Sequence, residues 1–155
     1  MLAIEPQHWY SWDFTVSRGG RPFAEFGLSW RERGRLVVDG LAYTVRREQM
    51  FGPFRLEAAG GLTVAIAEKP SVFRRVFVVT HGAQTWTLRR QSPWSRRVIV
   101  LQGDREVGHV ARTSWWSYRA AASLPDTMDA RVQVFCVWLA ALIWKREADA
   151  HAGSA

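Results

Sequence analysis

Arginine is the residue with the most chemical potential in this chain, and it recurs in adjacent pairs: Arg46-Arg47, Arg74-Arg75, Arg89-Arg90 and Arg96-Arg97. Neighbouring side chains on a strand point to opposite faces. A pair in mid-strand would therefore drive one guanidinium into an apolar interior, at high cost, so the pairs belong at strand ends. The planar guanidinium fork fits phosphate and carboxylate, and the formal net charge of +7 points the same way, toward an anionic partner. Lys69 and Lys145 are the two lysines.

Other chemistry is sparse. His8, His81, His109 and His151 are scattered, with no spacing that puts two ligands on one helical face. No Gly-x-Ser-x-Gly elbow and no phosphate-cradling glycine loop ahead of a helix is present. The acidic residues do not pair within apolar surroundings, so no acid/base dyad stands out. The single cysteine, Cys136, excludes an internal disulfide framework and a multi-cysteine zinc site. The class this leaves is a non-enzymatic binding or scaffold module without cofactor or metal.

The elements that must position the arginines are organised around Ala130–Trp144, reading ARVQVFCVWLAALIW, the one run apolar on every face. It is shorter than the ~20 residues that span a bilayer, and Arg131 and Gln133 lie in its first turn. A helix apolar all round needs a closed wall, since on a surface one face would stay wet. Asp126 or Thr127 can cap it, Asp129 sits where the helix dipole favours an anion, and Lys145 and Arg146 sit where it favours cations. This predicts a core helix near residues 127–146, one domain over residues 1–147, and a disordered tail from 148 to 155. The first nine residues are expected to be loose, because Glu5, Pro6 and Gln7 interrupt any period.

From Trp9 to about Leu124 the chain alternates short runs of Val, Ile, Phe, Trp and Thr with Gly, Pro and Ser, the pattern of consecutive strands. Turn glycines recur at Gly40, Gly60, Gly82 and Gly103, with two strands in each interval. The stretch TVAIAE places Val64 and Ile66 on one buried side, and QTWTLR places Trp86 and Leu88 there. Roughly 11 or 12 strands fit at this spacing, enough to enclose a helix. The expected fold is a closed antiparallel barrel of about 12 strands around the C-terminal helix, with a two-sheet sandwich packed on the helix as the alternative.

In an antiparallel meander, alternate connections share one end. The glycine turns then fall on one rim, and the connections bordered by the arginine pairs fall on the other, together with Lys69, Arg112 and Arg119. Phe51, Trp94, Trp115 and Trp116 lie in the same loops. A basic rim with indoles suits an anionic membrane surface, where tryptophan settles at headgroup depth. The candidate headgroup-binding residues are Arg46, Arg47, Lys69, Arg74, Arg75, Arg89, Arg90, Trp94, Arg96, Arg97, Trp115 and Trp116. Two other readings remain: stacking of single-stranded nucleic acid on the indoles, and a structural barrel whose arginines only solubilise it. No obligate partner is implied. The N-terminal MLAIEPQHWYSWDF has neither a basic region nor a signal-length apolar run, which leads to the expectation of a cytoplasmic protein, peripheral to the inner face of the membrane.

The order of pieces also resembles the tubby C-terminal-like superfamily, which includes LURP-one-related proteins and phospholipid scramblases. The resemblance spans roughly residues 43–146. It is carried by Phe54-Arg55-Leu56, the hairpin at Gly60-Gly61, Phe73-Arg74-Arg75-Val76-Phe77, Val107-Gly108-His109-Val110 and the apolar helix. It implies a barrel of about 12 strands around a buried C-terminal helix. For function it implies phosphoinositide binding through basic residues, or calcium-linked membrane attachment. Between Ser114 and Asp129 the acidic residues are Asp126 and Asp129, without an acidic calcium loop, and no cysteine cluster offers palmitoylation sites, so scrambling does not carry over.

Overall fold

A computed structural model describes residues 1–29, 31–70 and 76–153. Twelve strands precede one helix: β1 (Leu2–Pro6), β2 (Asp13–Arg18), β3 (Arg21–Leu28), β4 (Gly34–Val38), β5 (Leu41–Arg47), β6 (Phe54–Ala58), β7 (Thr63–Glu68), β8 (Val76–His81), β9 (Gln84–Arg90), β10 (Val98–Gln102), β11 (Arg105–Arg112), β12 (Ala120–Ser123) and α1 (Ala130–Gly153). Each strand pairs antiparallel with its neighbours in sequence, and β1 pairs with β12 to close the barrel. Closure leaves no sheet edge to template aggregation.

Side chains alternate as a one-sided sheet requires. Phe14 and Val16, Phe54 and Leu56, Phe77 and Val79, and Trp86 and Leu88 point inward and are buried. The outward positions include Thr15, Glu25, Arg35, Thr44, Arg55, Thr87 and Arg105, none of them buried. This polarity, apolar inside and polar outside, is the reverse of a lipid-spanning barrel. Bulges at Val16/Ser17, Leu56/Glu57 and Val100/Leu101 interrupt the register near one end, where an extra residue tightens the curl that closure needs.

α1 fills the interior. Thirteen consecutive residues, Val132 to Trp144, are buried, and each large one contributes roughly 1.5–3 kcal/mol by leaving water. Two indoles of α1 find acceptors on the wall: Trp138 Nε1 donates to Gly27 O at 3.1 Å and Trp144 Nε1 donates to Arg96 O at 3.0 Å. Gly34 faces the Trp138 ring so closely that a Cβ would overlap it. At the entrance, Gln133 is the one buried polar side chain among the described residues, receiving a hydrogen bond from Arg18 and donating to Pro125 O at 2.9 Å. No helix among the described residues is long and apolar enough to cross a membrane.

Four expectations require correction. The first nine residues are not loose throughout: Leu2–Pro6 form β1, which closes the barrel by pairing with β2 and β12. On β7 the inward residues are Ala65 and Ala67, opposite Leu56 and Phe54, whereas Ile66 pairs with Arg55 on the outer side. Val64 is buried beside the bulge. Small residues thus face inward on β7 beside the large inward side chains of β6, Leu56 and Phe54. The helix is capped by Asp129, whose Oδ1 accepts the Arg131 N–H at 2.9 Å, and not by Asp126 or Thr127. Its other end runs on to Gly153, with Lys145 bridging to Asp149 at 2.7 Å, where a disordered tail was expected from 148.

Candidate functional site

The glycine turns at Gly19-Gly20, Gly40, Gly60-Gly61, Gly82 and Gly103, all with positive φ, lie on one rim, where α1 enters. The other rim holds the remaining strand connections and the C-terminal turns of α1. Among the described residues ten large apolar side chains are well exposed, and seven of them, Trp9, Tyr10, Met50, Phe51, Trp94, Trp115 and Trp116, are on this second rim. Trp9 and Trp94 are more than 90% exposed. The loops carrying Trp94, Trp115-Trp116 and Trp9-Tyr10 are adjacent around the barrel, since β12 neighbours β1.

A repeated local device presents these side chains. At the ends of β5, β9 and β11, an arginine Nε donates to the carbonyl five residues on: Arg47 to Gly52 O at 3.2 Å, Arg90 to Ser95 O at 2.9 Å, and Arg112 to Ser117 O at 3.3 Å. Each clamp closes a tight loop and turns the residue before that carbonyl outward: Phe51, Trp94 and Trp116. The loop after β1 has the same form without the arginine, with Tyr10 preceding Ser11. The segments QHWYS, EQMFG, QSPWS and TSWWS are thus one motif in four copies.

The clamps tie the rim to the helix. Glu32 accepts from Arg146 at 2.7 and 2.9 Å and from Arg47 at 2.6 Å, while Arg90 pairs with Glu147 at 2.8 Å. The hydrogen bond from Arg146 holds the Glu32 carboxyl below its ordinary value against its own burial, helped by the charges of Arg146, Arg47 and Lys69. Burial, followed by the charge of Arg146, lowers the proton affinity of Arg47 despite Glu32.

The candidate arginines therefore divide. Arg47 and Arg90 are loop clamps in ion pairs, Arg46 pairs with Glu57 at 3.1 Å, and Arg97 pairs with Glu106 at 3.1 Å, so these four are already engaged within the protein. Arg89 and Arg96 are exposed and donate to backbone carbonyls, Arg90 O and Trp115 O, with no carboxylate partner among the described residues. The exposed Arg119 joins them at this rim. Lys69 lies just past β7 at the same end, partly buried. Arg74 and Arg75 lie outside the described residues. Trp115 and Trp116 meet edge to face with ring centres 5.7 Å apart.

Sequence reasoning passed over Trp9, Tyr10 and Met50. The signal was present in the four-copy loop motif, which becomes visible only when strand ends rather than turn glycines are aligned. Among the described residues no three His, Cys, Asp or Glu converge as a metal site. Burial pushes the Cys136 thiol up to about 12.

These observations define a class: a closed antiparallel barrel filled by its own C-terminal helix, with one glycine rim and one aromatic, basic rim. Compared with models of protein families, curated proteins and solved structures, the chain matches none.

Proposed function

We propose that this protein is a peripheral binding module, and not an enzyme, which attaches to anionic phospholipid through its aromatic rim. The observation that carries the reading is the concentration of seven exposed large apolar side chains on the rim that also exposes Arg89, Arg96 and Arg119. Exposed aromatics cost solubility, and loops that hold them outward four times over, three of them with indoles, need a compensating environment. The headgroup layer is one, because an indole there is half in hydrocarbon and half hydrated. Each basic residue near an anionic surface adds about 1 kcal/mol. The attachment places the protein at the cytoplasmic face, where anionic lipid is concentrated. The helix-filled barrel of 12 strands also supports kinship with the tubby C-terminal-like superfamily.

Co-sedimentation with liposomes tests the reading. Retention is expected on vesicles containing anionic lipid and not on phosphatidylcholine alone, fading as salt shortens the Debye length to about 10 Å at 0.1 M. Replacing Arg89, Arg96 and Arg119 together by Ser should weaken binding about 100-fold, three increments of about 1 kcal/mol. Trp94→Ser should weaken it with an unchanged salt slope. A folded protein that ignores anionic vesicles would end the proposal. Equal or tighter retention on single-stranded oligonucleotide would transfer the rim to nucleic-acid stacking.

A further inference from the structure

Two guanidiniums of the aromatic rim converge on one atom. Arg96 Nη1 and Arg112 Nη2 both donate to Trp115 O, at 3.3 and 3.5 Å. Arg112 also donates Nε and Nη2 to Ser117 O and lies 4.4 Å over the Tyr118 ring, so it is held from three sides. The Arg96 backbone is fixed from below, through Trp144 Nε1 on its carbonyl at 3.0 Å. Burial, and next the charge of Arg96, lower the proton affinity of Arg112. A carbonyl's partial charge neutralises neither cation, so the pair is pre-placed and under-compensated.

These groups line a cleft of about 650 Å³ whose aromatic walls include Trp94, Trp116 and Trp144. Arg90, Arg96 and Arg112 face a single carboxylate there, Glu147, leaving an excess of two positive charges with His151 counted neutral. That carboxylate is already engaged by Arg90 at 2.8 Å.

We propose that the Arg96–Arg112 pair is a receptor for one phosphate monoester, the group borne by phosphatidic acid in a bilayer and by soluble phosphomonoesters in water. A phosphomonoester carries roughly −1.5 to −2 charge at pH 7 and three acceptor oxygens, matching the excess charge and the open donors of two guanidinium forks. A phosphodiester offers one charge and two free oxygens and fits less well. The lipid source rests on the membrane reading above, whereas the soluble source does not.

The site is tested in two arms. In the first, vesicles of phosphatidylcholine with phosphatidic acid are compared with vesicles matched in surface charge by phosphatidylglycerol. Retention is expected to be at least about tenfold stronger on phosphatidic acid, the difference one charge-assisted hydrogen bond makes. Arg96→Gln should erase that preference, leaving equal retention on the two vesicle types, with the phosphatidylglycerol level itself lower by the roughly fivefold that one basic residue contributes. Glu147→Gln should strengthen retention on phosphatidic acid, a gain that a damaged fold cannot produce. In the second arm, tryptophan fluorescence is followed while inorganic phosphate and glycerol 1-phosphate are added, and a saturable change absent in Arg96→Gln is expected.

A saturable Arg96-dependent change without vesicle binding would uphold the receptor and refute the membrane reading. Equal retention on both vesicle types with no response to soluble phosphate would overturn the receptor while the membrane reading survives. A preference that persists in Arg96→Gln, or a Glu147→Gln protein that binds no better than the parent, would also overturn it.

Discussion

Glu32 has φ +56°, in the left-handed region that costs a non-glycine residue about 1 kcal/mol or more. It is held there by what its carboxylate does, accepting from Arg146 and Arg47, which ties the β3–β4 and β5–β6 loops to the helix. Glu32→Ala should lower stability by about 1–3 kcal/mol in denaturant titration, since two partly buried guanidiniums lose a charged acceptor. Glu32→Gly loses the same acceptor but relieves the backbone, and should be the milder variant by about 1 kcal/mol. Equal losses would mean that the strain contributes nothing.

At the opposite rim, the Arg131 guanidinium lowers the Asp129 carboxyl to about 2 from an ordinary 3.8, against the effect of its burial; His81 adds a weaker contact at 3.9 Å. The folded value is the depressed one. The stability this pair supplies is therefore complete above the ordinary carboxylate range and is lost as pH falls toward about 2. Asp129→Asn keeps a side chain that can cap the helix, so melting temperature should become less pH-dependent within that acid window and keep its pH-dependence above it.

Among the elements, α1 departs most from the usual surface helix, because no face is polar over Val132–Trp144. It cannot exist without the wall, and the wall cannot close dry without it. The loops have their own logic: Arg47, Arg90 and Arg112 each close one by donating Nε to the carbonyl five residues on. Arg90→Lys keeps the charge near Glu147 but loses the fixed Nε donor to Ser95 O. Amide hydrogen exchange in residues 91–97 should quicken while global unfolding shifts by less than about 1 kcal/mol, as local opening is separable from the core. A large global loss would mean that the clamp supports the barrel and not the loop alone.

For the molecule as a whole, the two ends differ in kind. Met1, Leu41 and Leu62 are the exposed large apolar side chains at the glycine-turn end among the described residues, single and far apart in sequence, while the other rim gathers six aromatics and Met50, five of the aromatics on three adjacent loops. If that rim meets a bilayer, a nitroxide placed at Phe51 should become shielded from water-soluble relaxers when anionic vesicles are added, and one placed at Leu62 should not. Shielding at both positions would point to aggregation, and shielding at Leu62 alone would reverse the orientation.

The sequence by itself determined a wall of consecutive strands and its filling, while closure through β1, a segment expected to be loose, was decided by the tertiary structure. An apolar run too short for a bilayer and wet on no face demands enclosure, and turn glycines at a regular interval with two strands between them supply the wall. The meander also put the arginine pairs on one rim, and the ends of β5 and β9 and the start of β10 place three of them there. Only the tertiary structure decided which cations are committed. Partners for Arg47 and Arg90 come from Glu32 and Glu147, 15 and 57 positions away, and no local pattern reports a contact of that separation. The same holds for Ala65 and Ala67 facing inward while Ile66 faces out, with Val64 still buried at the bulge: a period-two pattern cannot choose its own buried face. That choice is made by the register with β6, which sets Ala65 and Ala67 on the same face as Leu56 and Phe54.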